Sequence, residues 1–490
     1  GGVLHIDVTA DELDLDAELR RALPPEWQKV WDDLRPAGKI AATASGAIHT
    51  RKGEWQRFHL DATLKGCEAT WTGLPVRVTG LRGRFDYEEG VVNLNDVAGE
   101  SAVADQVRLN GRIARMGCGS DRVQVAVQNL RLVPDLFAAL PDEARKTLEG
   151  MDLKGTADLE LTLSNSGKPD GVTHCFGLVR LRDASFRHTQ PVEQVSGNLR
   201  IDRGVVHTDG TQSLEGGLDL RKLVAHKFVL TDLKSALTYT RAREGKDTPL
   251  RSKLALNDLA ASFYGGNLSG KVSLDLGAGG EGGFSSRLSV SNADFKVLCQ
   301  EALGAGDPAT GILHVTFESP PGRYKGESGL IGDGTAEVEK GELGQLPLAA
   351  SLFNALSLRS PLDRSITRAE AKFGITKDQL VFKELSLEGQ RRVLAGLGTI
   401  GYDGALNLRL VSPKPSGRSI WDLIDIPLNF MREQLVQVDV RGTISKPDVQ
   451  ILAVPPVSQL VDQFAVALGL WRKRQPEKPK DAPPVPPETP

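Results

Sequence analysis

Apolar and polar residues alternate along most of this chain, and this period of two limits the possible folds more than any other feature. In Ala405–Leu410 three leucines lie on one face, whereas Asn407 and Arg409 lie on the other. Val436–Arg441 alternates valines with polar residues in the same way. Such strands have one buried and one solvated face, which antiparallel sheets allow. With 52 glycines and 5% aromatic residues, the chain is predicted to be mainly β and antiparallel.

Turn sequences separate the predicted strands. Tyr402–Gly404 lies between two alternating segments and predicts a hairpin. Glu89–Gly90, Arg203–Gly204 and Lys340–Gly341 lie at similar junctions. We therefore expect the chain to reverse at each of these positions.

A strand–helix–strand block is duplicated in the first half of the chain. Leu23-Pro24-x-Glu26 recurs 117 residues later as Leu140-Pro141-x-Glu143, and proline and glutamate suit the first turn of a short helix. The strand around Gly83 recurs around Gly197, at an offset of 114. Repetition of this kind favours one continuous sheet over unrelated domains. The two copies within block 1–235 are expected to cover residues 1–117 and 118–235.

The β pattern continues through residues 236–455, with short helices inserted. A strand–helix element is predicted at Ser289–Gly311, where Ser291–Phe295 begins the helix. Residues 474–490 are rich in Pro, Lys and Glu without apolar periodicity, which predicts disorder. Further helices are predicted at Leu346–Leu356, Ser419–Glu433 and Val457–Arg472, the last being an amphipathic helix over residues 456–473.

Charge and motifs exclude several classes of function. Lys and Arg number 60 against 63 Asp and Glu, so no basic surface for nucleic acid is expected. The chain has no GxSxG, HExxH or Walker motif. Two GxGxxG matches precede strand-like runs instead of helices, so turns or bulges are predicted there. We predict no catalytic, cofactor or metal site, and no enzyme. The glycines concerned are Gly277, Gly279, Gly282, Gly396, Gly398 and Gly401.

The four cysteines leave the redox compartment open. Cys67, Cys118, Cys175 and Cys299 lie far apart, without a CxxC pair. They allow two disulfides in any of three pairings, or they are buried thiols. Both interpretations stay open at the level of the sequence.

No segment of the sequence predicts a membrane-spanning helix or a signal peptide. No run of 18 apolar residues occurs, and no charged-then-apolar leader precedes the first strand-like segment, Val3–Val8. We expect that an N-terminal part of the full-length protein is missing. For the helix Val457–Arg472 two roles are considered: lying on an anionic membrane surface, or covering an edge of the sheet.

Several glycine-containing strands resemble those of the AsmA-like family of bacterial envelope proteins. Phe263-Tyr264-Gly265-Gly266-Asn267-Leu268-Ser269-Gly270 is similar to the family's aromatic-Gly-Gly strand signature. Gly332–Val338 followed by Gly341–Leu348 resembles its C-terminal module, in which a glycine-led strand precedes a short helix. The pattern continues through Leu397-Gly398-Thr399-Ile400 and Val440-Arg441-Gly442-Thr443-Ile444. The resemblance is strongest over residues 250–455.

The resemblance implies an extended, curled antiparallel sheet, a half-pipe whose apolar groove transfers phospholipid towards the outer membrane. It also implies a periplasmic location and an N-terminal anchor in the inner membrane. Acyl chains would lie on the apolar face of the sheet, out of water. A shift of one residue would invert the assignment of faces. The candidate groove residues are Phe373, Ile375, Leu406, Leu408, Leu410, Val436, Val438 and Val440.

Two other functions remain compatible with the sequence. A scaffold or interaction protein of the envelope would have the same strands around an interior filled by side chains. An enzyme acting on glycan or lipid would need a polar pocket with converging carboxylates, and no sequence feature favours one. Lipid class, transport direction, protein partners and oligomeric state are not specified by the sequence.

Overall fold

In the computed structural model, the described residues form 23 strands and three short helices. Hydrogen bonding assigns these strands to one antiparallel sheet, which confirms the predicted fold class. The chain divides into two compact units, and each is considered by itself below. The structure describes residues 3–452 except 24, 50–54, 71–75, 115–119, 134–135, 137–151, 166–170, 188–190, 226, 244, 246–247, 277–280, 303–308, 326–330, 344–365, 377, 390–392, 413–435 and 445.

The first unit comprises residues 1–293, 301–303 and 318–329. Its strands pair with their neighbours in chain order, so the unit is an antiparallel meander. Two helices, α1 (Ala17–Ala22) and α2 (Pro25–Leu34), follow the first strand. The strands are β1 (Val3–Asp14), β2 (Lys39–His49), β3 (Trp55–Thr70), β4 (Arg77–Glu88), β5 (Val91–Ser101), β6 (Ala104–Ala114), β7 (Asp121–Arg131), β8 (Lys154–Asn165), β9 (Thr173–Arg187), β10 (Pro191–Val206), β11 (Gln212–Ala225), β12 (Phe228–Ala242), β13 (Arg251–Phe263), β14 (Gly266–Leu276) and β15 (Glu281–Asp294).

The second unit comprises residues 294–300, 304–317 and 330–490. It contains helix α3 (Phe295–Glu301) and part of strand β16 (Thr310–Lys325). The seven strands that follow β16 also pair in chain order. They are β17 (Gly332–Glu342), β18 (Ile366–Ile375), β19 (Gln379–Gly389), β20 (Val393–Gly401), β21 (Leu406–Ser412), β22 (Val436–Gly442) and β23 (Pro447–Leu452).

A line of β-bulges crosses the first unit. In seven strands a residue in the left-handed conformation is followed by a buried residue. A bulge bends its strand and turns the next side chain inward, so this line curves the unit across its width. The displaced backbone groups are hydrogen-bonded: the Asp96 amide donates to Asn110 Oδ1 at 2.6 Å. The pairs are Gly66–Cys67, Asp96–Val97, Asp183–Ala184, Gln194–Val195, Asp232–Leu233, Asp258–Leu259 and Asn292–Ala293.

Backbone geometry repeats at the offset of 117 residues. Gly38 and Gly155 both have φ of +114°. The amide of Leu15 donates to the Gly38 carbonyl at 2.8 Å, and the amide of Leu132 donates to the Gly155 carbonyl at 3.0 Å. A side chain at Gly155 would meet the Ala184 Cα at 2.6 Å, so only glycine fits. The same local structure is therefore built twice.

Two of the predicted turns are wrong. Tyr402–Gly404 and Glu89–Gly90 do form turns between strands. Arg203–Gly204 instead lies inside β10, at a shift of register against β11, and Lys340–Gly341 lies inside β17, where Lys340 has φ of +52°. Lys340 has the left-handed conformation that tight turns also use, whereas at Arg203–Gly204 only the pairing with β11 shows that the strand continues.

The third helix begins later than the sequence predicts. Strand β15 continues to Asp294, and α3 begins at Phe295 instead of near Ser291. Oδ1 of Asp294 accepts the amides of Lys296 and Val297 at 2.9 and 3.2 Å, as an N-cap residue does. The segments Leu346–Leu356, Ser419–Glu433, Val457–Arg472 and 474–490 lie outside the described residues.

The structure shows the surroundings of Gly398, from one GxGxxG match, and of three cysteines. Gly398 lies inside β20 with φ of +153°, and its missing Cβ would be 2.2 Å from the Asn407 carbonyl oxygen, so it marks a close approach of two strands. Cys67 and Cys299 are buried free thiols and Cys175 is half-buried and free. Gly277, Gly279 and Cys118 lie outside the described residues.

Candidate functional site

The two faces of the first unit differ in polarity. Ion pairs join neighbouring strands on the outer face. Asp61 pairs with Arg84, and Glu160 pairs with Arg180 at a distance of 2.7 Å. The hydrogen bond from the Arg84 guanidinium lowers the pKa of Asp61 below its ordinary value. Exposed pairs of this kind contribute little stability, but they keep this face hydrated. The opposite face, called the inner face here, carries the apolar side chains.

One row of apolar positions crosses twelve consecutive strands of the inner face. Each member lies directly opposite the next in the strand register. With strands about 4.8 Å apart, this central row is roughly 53 Å long. The central row consists of Phe85, Leu94, Gly111, Val123, Leu163, Cys175, Gly204, Leu214, Tyr239, Leu254, Leu274 and Phe284.

A second row runs beside the central row, nearer to the bulges. It too contains no Asp, Glu, Lys or Arg, and its single polar member is the terminal serine. The inner face therefore carries an apolar strip that is at least two register positions wide. The second row consists of Val97, Leu109, Val125, Leu161, Gly177, Ile201, Gly216, Leu237, Leu256, Val272 and Ser286.

Side chains of the central row remain in contact with solvent. Apart from the buried Gly204, every member of the row is at least partly exposed, Leu163 at 36%. Residues at the bulge line, by contrast, are buried: Ala184 is 3% and Leu233 is 4% exposed. The bulge line therefore forms a packed floor, and the central row presents apolar surface above it.

Two polar groups in the central row report on its environment. The Tyr239 hydroxyl lies 3.1 Å from Ser252 Oγ, so it has a hydrogen-bond partner close to the strand ends. Burial raises the pKa of the Cys175 thiol above its ordinary value. Apolar surroundings disfavour the thiolate, so Cys175 is a low-reactivity thiol on an apolar surface.

The predicted groove residues lie in the second unit, and the structure brings most of them together in a packed core. Leu406, Leu408, Leu410, Val438 and Val440 are at most 5% exposed and pack with Leu385 and Leu394. Leu408 is paired with Val440, and Leu410 with Val438. These positions expose no surface that an acyl chain could cover.

Of the other three predicted residues, the two whose side chains are described are less deeply buried. Phe373 and Ile375 are half-buried on β18, where Phe373 is paired with Phe382 beside the core. Val436 begins β22, and its side chain lies outside the described part. The inner face of the first unit was missed, although alternation around Val123 and Leu163 together with the 117-residue repeat could have indicated it.

The described residues show no metal site that could serve as an alternative functional site. No group of three or more His, Cys, Asp or Glu residues is arranged to hold a metal within them. The helices among them are too short or too polar to cross a bilayer.

The chain was compared with known proteins at three levels. Comparison with protein-family models, with curated proteins and with solved structures gave no match. Its function must therefore be argued from the inner face itself.

Proposed function

We propose that the first unit binds the acyl chains of lipids along its inner face and transfers lipid in the bacterial envelope. The observation that supports this is the central row, which is apolar over twelve strands and partly exposed on all of them except at the buried Gly204. Exposed apolar strips of this extent are rare in soluble proteins unless something binds them. The AsmA-like resemblance supports phospholipid as the ligand and the periplasm as the location.

Removal of acyl chains from water would drive binding. Each buried methylene contributes about 0.8 kcal/mol. Because the two rows carry apolar residues or glycine on nearly every strand, without an Asp, Glu, Lys or Arg, no charged position would interrupt the strip. A lipid could then move from strand to strand without a deep trap, whereas a charged residue within a row would interrupt the path.

Head groups would lie where the strands end and polar residues begin. Thr173, Gln212 and Arg241 occupy the strand ends beyond the central row on β9, β11 and β12, with Val206 of β10 as the apolar member of this row. An amphipathic lipid lying across the unit would keep its head group at this polar margin. Transfer would therefore need no catalytic group and no cofactor.

A charge placed on the central row tests the proposal. We would purify the wild-type chain and the Leu163→Glu variant after equilibration with phospholipid vesicles, and quantify bound lipid by mass spectrometry. Since Leu163 is partly exposed, the variant is expected to fold and to bind several-fold less lipid. Thr162→Glu, one residue away on the outer face, is the matched control and should bind as wild type.

Transfer is measured separately with donor and acceptor vesicles carrying fluorescent phospholipid. The wild type should accelerate transfer and Leu163→Glu should not, while Thr162→Glu should match the wild type. Absence of lipid from the wild type, or equal lipid on both variants, would disprove the proposal.

A scaffold role is the second candidate, and the packed core of the second unit favours it for that unit. There the apolar face is filled by its own side chains, with Leu410 and Val438 fully buried. If the wild type bound no lipid but retained a folded second unit, the scaffold function would be preferred.

A further inference from the structure

Strand β1 has one edge without a partner among the described strands. It pairs with β2 from Val3–His49 to Asp14–Lys39, on one side only. Its inner-face side chains are unusually exposed, with both Leu4 and Val8 at 53%. The segment 3–10 contains no proline and no bulge, which are two of the usual means of protecting an edge, and Asp7 is its one acidic residue.

The internal repeat identifies the counterpart of β1. Strand β7 lies 117 residues later, and the two strands share a local irregularity. The β1–β2 register shifts between Ala10 and Leu13, and the β7–β8 register shifts between Val127 and Leu130, at the same offset. Strand β1 therefore corresponds to β7 residue by residue.

In β7 the equivalent edge is covered by β6. Leu109 of β6 lies opposite Val125, and Val107 lies opposite Val127. Val125 corresponds to Val8 and is only partly exposed, whereas Val8 is more than half exposed. Two differences accompany this: Val8 has no neighbouring strand on one side, and on its other side it faces Ala44 where Val125 faces the larger Leu161.

We propose that the free edge of β1 binds an antiparallel strand of the β6 type from outside residues 3–452. Subtracting 117 from the β7 residue numbers in the β6–β7 register gives the alignment of the bound strand with β1. Its residues corresponding to Leu109 and Val107 would face Val8 and Ala10, and its glycine corresponding to Gly111 would face Ile6. The partner is thus an extended segment with apolar residues at alternate positions and a glycine near its end. This pairing follows from the strand edge, and it does not depend on lipid binding.

The β6 sequence itself is a suitable probe. We would titrate a fluorescent peptide of residues 104–114, ADQVRLNGRIA, into the full chain and measure anisotropy and amide hydrogen exchange. The expected result is saturable binding with slowed exchange confined to β1. A control peptide with Val107→Asp and Leu109→Asp should not bind, because its apolar positions are lost.

Variants of β1 test the register. Val8→Glu places a charge opposite Leu109 of the peptide and should weaken binding by up to about five-fold, the upper effect of losing one cross-strand apolar pair. Thr9→Glu changes the outer face of the same strand and should have less than half of that effect. Both residues are exposed, so both variants are expected to fold, which circular dichroism would check.

Three results would overturn the proposal. The first is the absence of peptide-dependent protection of β1 at millimolar peptide. The second is binding that is equal for both peptides or equally weakened by both variants. The third is protection of β1 that appears without peptide as the chain is concentrated, because a second copy of β1 would then be the partner.

Discussion

Replacement of one leucine in each unit distinguishes an open apolar face from a filled core. Leu410→Ala removes a side chain that is 0% exposed, and such a change costs about 2–5 kcal/mol, including the cavity left behind. Leu163 is 36% exposed and hence 64% buried (100 − 36). Loss of its three carbons, at about 0.8 kcal/mol each scaled by that fraction, costs about 1.5 kcal/mol at most.

Native-state hydrogen exchange is the appropriate measurement, because a sheet of many strands need not unfold in one step. Opening free energies would be compared with the wild type in β8 and β9 for Leu163→Ala and in β20 to β22 for Leu410→Ala. We expect the second loss to exceed the first by about 2 kcal/mol. Equal losses would show that the inner face is a packed core, which would refute the argument for an open lipid surface.

Two further predictions concern stability. Gly155→Ala should lower the melting temperature clearly more than Gly404→Ala. Both glycines have a positive φ, but only at Gly155 would the new Cβ collide with a neighbour, at 2.6 Å from the Ala184 Cα. Equal losses in melting temperature would exclude steric crowding as the cause. Arg84→Gln should reduce stability at pH 7 by less than about 1 kcal/mol, since Arg84 lowers the folded-state pKa of Asp61. Because the folded-state pKa of this carboxyl is lowered, the ion pair stabilises the fold fully at pH values above the unfolded-state pKa of about 3.9, and this stabilisation is lost as the pH falls through the folded-state pKa. The denaturation midpoints of the wild type and the variant should therefore converge in acid. A difference that stays constant with pH would contradict this.

Local sequence predicted the strands well, because alternation and turn residues act over a few positions. Leu406–Leu410 and Val436–Val440 are strands with the expected residues on one face, and Tyr402–Gly404 is the expected hairpin. Arg203–Gly204 was misassigned as a turn because only pairing with β11 distinguishes a bulge from a reversal. The start of α3 was misplaced for a similar reason: pairing with β14 extends β15 as far as Ser291.

The sequence by itself determined the class of structure: antiparallel strands with one apolar face, repeated at an offset of 117 residues. It could not determine which stretch of that face is covered. Leu163 and Leu410 lie in equally alternating segments, yet one is partly exposed and the other fully buried. Alternation reports only that a side chain belongs to the apolar face. Whether other side chains cover it depends on the curvature set by bulges and on contacts between residues distant in sequence, and only the tertiary structure decides these.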